Sequence, residues 1–184
     1  DQPAGAMQLG VFQLDRGDVA SAVDYLQRAV SWDTNSAPLF DTLAVALSVQ
    51  GRSAETVDAL QTACRLAPLE AAYRYRLGLA FNEVGRLDDA RLALEQAVKL
   101  DPKFAQAWYN LGLAYAAQTK AEAAVDALLR AESLNARSAQ IPYARATVLA
   151  RLGRVEEARR AARRALELQP DHPEAREFLR VLNR

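Results

Sequence analysis

The chain has 184 residues, 51% of them hydrophobic, with 23 basic side chains against 23 acidic ones. That length can bury a substantial core, and the charge balance gives no global bias toward nucleic acid or an anionic membrane. No apolar run approaches the roughly 18 residues needed to cross a bilayer, and a single cysteine excludes an internal disulfide. The opening DQPAGAMQLG has no initiator Met, no basic start and no apolar signal core, so no targeting segment is visible and the compartment stays unassigned.

Taken in chain order, one pattern returns every 34 residues. Unit 3–36 carries Leu9-Gly10, a turn at Gly17, and then Ala22 and Ala29. Unit 37–70 answers with Leu43, Ala44 and Leu47, Gly51, Thr56, Ala63 and a closing Pro68. Unit 71–104 has Leu77-Gly78 and Phe81, Gly85, Ala90, Ala97 and Pro102. Unit 105–138 has Trp108, Leu111-Gly112 and Tyr115, Thr119 in place of the turn glycine, and Ala124 and Ala131. Unit 139–172 closes the series with Ala146, Leu149, Gly153, Ala158, Ala165 and Pro170. The tail 173–184 reads as a capping helix, with Ala175, Phe178, Leu179 and Leu182 on one face and Arg176, Glu177, Arg180 and Asn183 toward water. Arg184 is expected at or near the natural C-terminus, and the uncapped start leaves room for an array extending upstream.

Each unit reads as two helices joined at a glycine, the natural residue for a left-handed helix stop. Acids such as Asp88, Asp89, Glu156 and Glu157 open the second helices, and bases such as Arg28, Lys99 and Arg130 are expected in their last turns. No segment alternates with period two, so the fold is expected to be all-α. A glycine inside a helix costs about 1 kcal/mol relative to alanine, so Gly112 needs a reason. The reason expected is packing: Gly10, Ala44, Gly78, Gly112 and Ala146 recur at one site where two helix backbones touch.

Trp108, Leu111-Gly112, Tyr115, Ala124, Leu128 and Ala131 resemble the tetratricopeptide repeat family. Phe40, Arg74 and Pro142 depart from it at the Trp site, Arg145 at the Leu site, Gln13 at the aromatic site, Thr56 at an Ala site and Ala136 at the terminal Pro. Pro142 fits only where a helix starts within a turn of it. The resemblance implies a right-handed α-solenoid forming a single domain over 1–184, five units plus the cap, and first helices that line a concave peptide-binding groove. On helical spacing, the face left over by the packing stripe holds Gln106, Tyr109, Asn110 and Leu113 in the fourth unit, and Tyr75, Arg76, Leu79 and Asn82 in the third. In the fifth unit it holds Tyr143, Thr147 and Arg151. Tyr75, Tyr109 and Tyr143 would then form a ladder of rigid amphipathic contacts suited to a binding hot spot, or pack structurally between neighbouring first helices. Family members that clamp a partner's terminal carboxylate use Lys, Asn and Arg on this face; only Arg76 fits here, beside Met7, Val11, Asp41, Thr42 and Ala72, so such a clamp is not expected.

No metalloprotease HExxH, CxxC, P-loop or dinucleotide fingerprint occurs. His172 in its DHP junction reads as a turn or capping residue, Cys64 as a small buried apolar one, and the run RRAARRALE as a solvated face with Glu156 and Arg160 spaced to pair. The chain is therefore expected to be a non-catalytic scaffold or interaction module for a protein or peptide partner, with no cofactor, metal, nucleic acid or membrane insertion. The alternative is a regulatory or targeting region of a larger enzyme with its catalytic domain upstream. Residues 1–70 hold 4 basic and 9 acidic side chains (net −5), and residues 139–184 hold 10 and 6 (net +4). The chain is thus expected to be a monomer, with weak head-to-tail association at low salt.

Overall fold

The computed structural model describes residues 2–182, and all regular structure among them is helical. The order is α1 (Gln2–Asp15), α2 (Val19–Trp32), α3 (Ala37–Val49), α4 (Ser53–Leu66), α5 (Ala71–Glu83), α6 (Leu87–Leu100), α7 (Ala105–Ala117), α8 (Ala121–Leu134), α9 (Gln140–Arg151), α10 (Val155–Leu168) and α11 (Pro173–Leu182). Consecutive helices pair into hairpins, α1 with α2 through α9 with α10. The chain divides into two compact units, Asp1–Leu100 and Asp101–Arg184. The first has a core of Leu26, Leu43, Leu47, Leu60, Leu77 and Phe81 with small residues between them. The second is built on Leu128, Ile141, Val148, Leu149 and the alanines of α8 and α10. Among the described residues no helix is long and apolar enough to cross a membrane.

The hairpins turn where the backbone enters the left-handed region. Gly17, Gly51, Gly85 and Gly153 take φ between 73° and 80°. Thr119 does the same with φ 59°, the one non-glycine residue at positive φ among those described. The hydrogen bonding is shared: Lys120 N–H donates to the Tyr115 carbonyl at 2.9 Å, as Arg86 N–H does to Phe81 at 2.8 Å. A β-branched side chain is strained there. The fold imposes the turn whatever residue occupies it.

Within each hairpin the helices meet at the small-residue site. A Cβ added to Gly112 would stand 2.7 Å from Leu128 Cγ and 3.3 Å from the Ala124 carbonyl oxygen, and one on Gly78 would stand 2.8 Å from Leu94 Cγ. The same holds at Gly10, where Leu26 Cγ would lie at 2.6 Å. The leucine branches at the point of contact, so a Cβ there requires it to shift, as it does in α3–α4 where Ala44 faces Leu60. The last hairpin solves the problem in reverse, setting Ala146 opposite Ala162 at the equivalent positions.

Asp88 and Asp89 lie in the first turn of α6, Glu156 and Glu157 in that of α10, and Lys99 in the last turn of α6. Arg28 and Arg130 are a correction: α2 runs on to Trp32 and α8 to Leu134, which leaves both arginines one turn inside their helices. Dipole compensation fades within the last turn, so it does not explain these two. Pro142 is the third residue of α9, where no intrahelical donor is required of it, and its ring is buried. Ala175 is buried in α11, Phe178, Leu179 and Leu182 pack on the second core, and Arg176, Glu177 and Arg180 are exposed. Asn183 and Arg184 lie outside the described residues.

Arg145 occupies the site where other first helices place leucine, and its partner explains it. Its guanidinium donates through Nε and Nη2 to one Glu132 oxygen, at 3.1 and 2.9 Å, with both side chains under 20% exposed. Positions with this separation hold Val30 with Leu43 and Cys64 with Leu77 in the first unit. An apolar pair has been exchanged for an ionic one. Arg145→Leu should therefore destabilise the chain by about 3 kcal/mol, because it strands the Glu132 carboxylate, whereas Glu132→Val with Arg145→Leu should recover or exceed the original stability. Chemical denaturation of the three variants checks this; equal loss in single and double variants would refute it.

Two further expectations follow from the hairpins. Gly112→Leu should destabilise by about 1–3 kcal/mol or more through overpacking. Gly112→Ala made in a Leu128→Ala background should instead be neutral or gain up to about 1 kcal/mol, since only the helix propensity then changes. Thr119→Gly should raise stability by about 1 kcal/mol through relief of the left-handed strain, which a thermal or urea melt would register.

Candidate peptide-binding cleft

In the second unit, α7 and α9 lie side by side and α11 starts next to them. The surface between them is an open cleft of about 590 Å³. Tyr109 and Leu113 reach it from α7, Tyr143 and Thr147 from α9, and His172 and Glu174 from the α11 junction. Gln140 and Gln169 line it as well. A smaller hollow of about 180 Å³ adjoins it at Gln106, Tyr109 and Ser138. The spacing of 34 residues puts the two tyrosines at equivalent points of successive first helices, and helix packing brings them to one surface.

Each tyrosine is half-buried rather than free-standing. Tyr109 packs against the second core while lining both hollows, and its burial pushes the phenol up from its ordinary pKa. Tyr143 stacks at a tilt on the His172 ring, 4.9 Å between centroids, and meets Phe178 edge-on at 6.1 Å. Both rings are therefore held in place, yet each keeps a side toward the cleft. Leu113 is 38% exposed, a large share for an apolar side chain lining a hollow. The Thr147 hydroxyl donates back to the Ala144 carbonyl at 2.8 Å.

Gln169, His172, Pro173 and Glu174 are the cleft residues the sequence did not point to. His172 is nearly fully buried, and its Nδ1 accepts the Ala175 N–H at 3.4 Å while standing 2.9 Å from a Glu174 oxygen. The same nitrogen thus faces both the start of α11 and the Glu174 carboxylate. Its capping role is as expected, and its place at the cleft wall comes from α11 folding back beside α9. The DHP signal alone held no hint of the second role.

Gln106 borders only the smaller hollow, Asn110 is half-buried with its amide donating to the Gln106 carbonyl at 2.9 Å, and Arg151 is exposed but outside the cleft. The remaining predicted residues belong to the first unit. There Arg76 and Leu79 line a separate hollow of about 190 Å³ with Val45, Val49 and Glu83. Arg76 is ion-paired to Asp41, whose carboxylate is mostly buried, so its charge is already matched within the fold. Tyr75 and Asn82 do not line that hollow. Cys64 is buried, which pushes its thiol pKa up. Among the described residues no group of three or more His, Cys, Asp or Glu side chains is placed to hold a metal ion.

The tetratricopeptide repeat pattern matches residues 42–91, 105–138 and 143–179, and a TPR repeat pattern matches 78–119. The chain belongs to the tetratricopeptide repeat family. Solved structures similar in fold include YrrB, described as a TPR protein with an unusual peptide-binding site (19% identity, 94% of this chain, 89% of that one, TM-score 0.83). MamA from Desulfovibrio magneticus RS-1 is similar at 22% identity over 94% of this chain and 98% of that one, with TM-score 0.86. The thermophilic TPR protein TTC0263 of Thermus thermophilus is similar at 21% identity over 98% of each chain, with TM-score 0.68. No curated protein matches significantly in sequence. At these identities the likeness establishes the fold.

Proposed function

We propose that this tetratricopeptide repeat chain is a non-catalytic protein-binding module that takes a partner peptide or helix in the cleft of its second unit. The observation that carries the reading is the convergence of Tyr109, Leu113, Tyr143 and Thr147, from two first helices, on one open surface. Rigid tyrosines supply contact area at low entropic cost and a hydroxyl at the rim. Gln140 and Gln169 add amides able to donate and accept toward a peptide backbone. The cleft holds one formal negative charge, Glu174, beside His172. That favours a segment bound through apolar and aromatic side chains over one bound through a terminal carboxylate. The peptide-binding site named for YrrB lends the family precedent.

The test is a selection of binding peptides from a displayed library, followed by variants of the chain. Tyr109→Ala should weaken binding of a selected peptide by about 2 kcal/mol, a hot-spot magnitude. Its effect on unfolding should stay below that of Leu111→Ala, a core truncation expected to cost about 2–5 kcal/mol. Equal destabilisation by the two would make Tyr109 a core residue. Unchanged peptide affinity in Tyr109→Ala and Tyr143→Ala would remove the cleft from the reading.

A further inference from the structure

Two arginines of the first unit have no counter-charge, and both line the same hollow. Eight arginines lie within residues 1–100. Arg52, Arg76, Arg86 and Arg91 are ion-paired to Glu55, Asp41, Asp89 and Glu95. Arg16 and Arg28 sit over the rings of Phe12 and Trp32. The remaining two, Arg65 and Arg74, make no side-chain hydrogen bond or ion pair with any other described residue. They face an opening of about 410 Å³ between α4 and α6, floored by the buried Leu77 and Phe81 of α5. Asp89 is its one acidic lining residue, and Arg86 already engages that carboxylate at 2.7 Å.

Arg74 is the more telling of the two. It is half-buried at the site that holds Trp108 in the fourth repeat. Arg145, the other arginine at an apolar site of the repeat, has the Glu132 carboxylate against it. Arg74 has no such partner: Glu70, one turn earlier, instead caps α5 by accepting the Ala72 N–H. A guanidinium drawn partly out of water without a counter-ion costs stability. Arg65 lies in the last turn of α4, where the helix dipole favours it, but no dipole argument applies to Arg74 in the first half of α5.

We infer that this hollow docks an acidic segment of a protein partner, whose side-chain carboxylates meet Arg65 and Arg74 while an adjoining apolar side chain covers Phe81 and Leu92. A guanidinium fork matches a carboxylate through two parallel hydrogen bonds. Gln61 and Gln96, which also line the opening, add amide donors beside it. A free inorganic anion would match the charge but leave Leu92, 46% exposed at the rim, uncovered. The site is distinct from the first-helix surface of Arg76 and Leu79, because it opens between two second helices. It recognises acidic side chains, not a chain terminus.

The test uses the full chain, calorimetric titration and a peptide with Asp-Phe-Glu at its centre, its ends acetylated and amidated. The peptide should bind at low salt, weaken as salt rises, and lose affinity by about tenfold or more when its acids become Asn and Gln. Arg74→Leu should cut affinity by about tenfold or more and at the same time raise the urea midpoint of the free chain, since it removes an unmatched charge from an apolar site. Arg65→Gln, at an exposed position, should weaken binding by up to about fivefold with the midpoint little changed. A lower midpoint in Arg74→Leu overturns the proposal, because the fold itself would then be matching the charge. Unchanged affinity in both variants does so too. So does inorganic phosphate that binds as tightly as the peptide, since the apolar floor would then contribute nothing.

Discussion

The close approach of the two helices in each hairpin is the constraint on which the rest of the structure depends. At Gly10, Gly78 and Gly112 the missing Cβ lets a leucine branch sit against the helix backbone. Where alanine takes the site the hairpin still closes, with Ala44 opposite Leu60 and Ala146 opposite Ala162, and this repeated small-residue contact sets the geometry that brings Tyr109 and Tyr143 to one surface. Each glycine gives up about 1 kcal/mol of helix propensity, and burial of a leucine side chain, worth about 1.5–3 kcal/mol, more than offsets it. The cleft is a by-product of that exchange, since it exists because the hairpins repeat with one geometry.

Much of this was legible because it is periodic. The 34-residue spacing, the glycine stops and the alanine sites are backbone requirements, and a backbone requirement leaves the same mark each time it recurs. Thr119 shows the strength of the rule, for it adopts the left-handed turn without the residue that makes the turn easy. What stayed illegible has the opposite character. Arg145 looked like a departure from the pattern; its meaning lies in Glu132, thirteen residues earlier, and a single substitution cannot announce its partner. Arg28 and Arg130 misled because composition locates a helix end only to within a turn or two. The face containing Tyr109 followed from helical spacing, but its half-burial did not, because spacing fixes direction and not what stands in the way.

The cleft also shows how a repeat fold acquires local chemistry. Four of its residues, Tyr109, Leu113, Tyr143 and Thr147, come from equivalent faces of successive first helices. Any tetratricopeptide array would offer such a surface. His172, Pro173 and Glu174 come from the junction into α11, where the pattern changes. They give the cleft a wall with an imidazole ring and a carboxylate in contact, which makes this surface unlike the equivalent one of the other hairpins.

Within each unit, repetition covers a first helix with the second helix that precedes it, α2 on α3, α4 on α5 and α8 on α9, so such faces say little about function. Leu43 is buried because α2 precedes it, and Leu9 is exposed because no described helix does. α11 repeats the spacing of a first helix and lays Phe178, Leu179 and Leu182 on the core of the second unit. A fold built by repetition thus carries its specific information where repetition is broken. In this chain those places are the ionic pair at Arg145 and Glu132 and the histidine wall of the cleft.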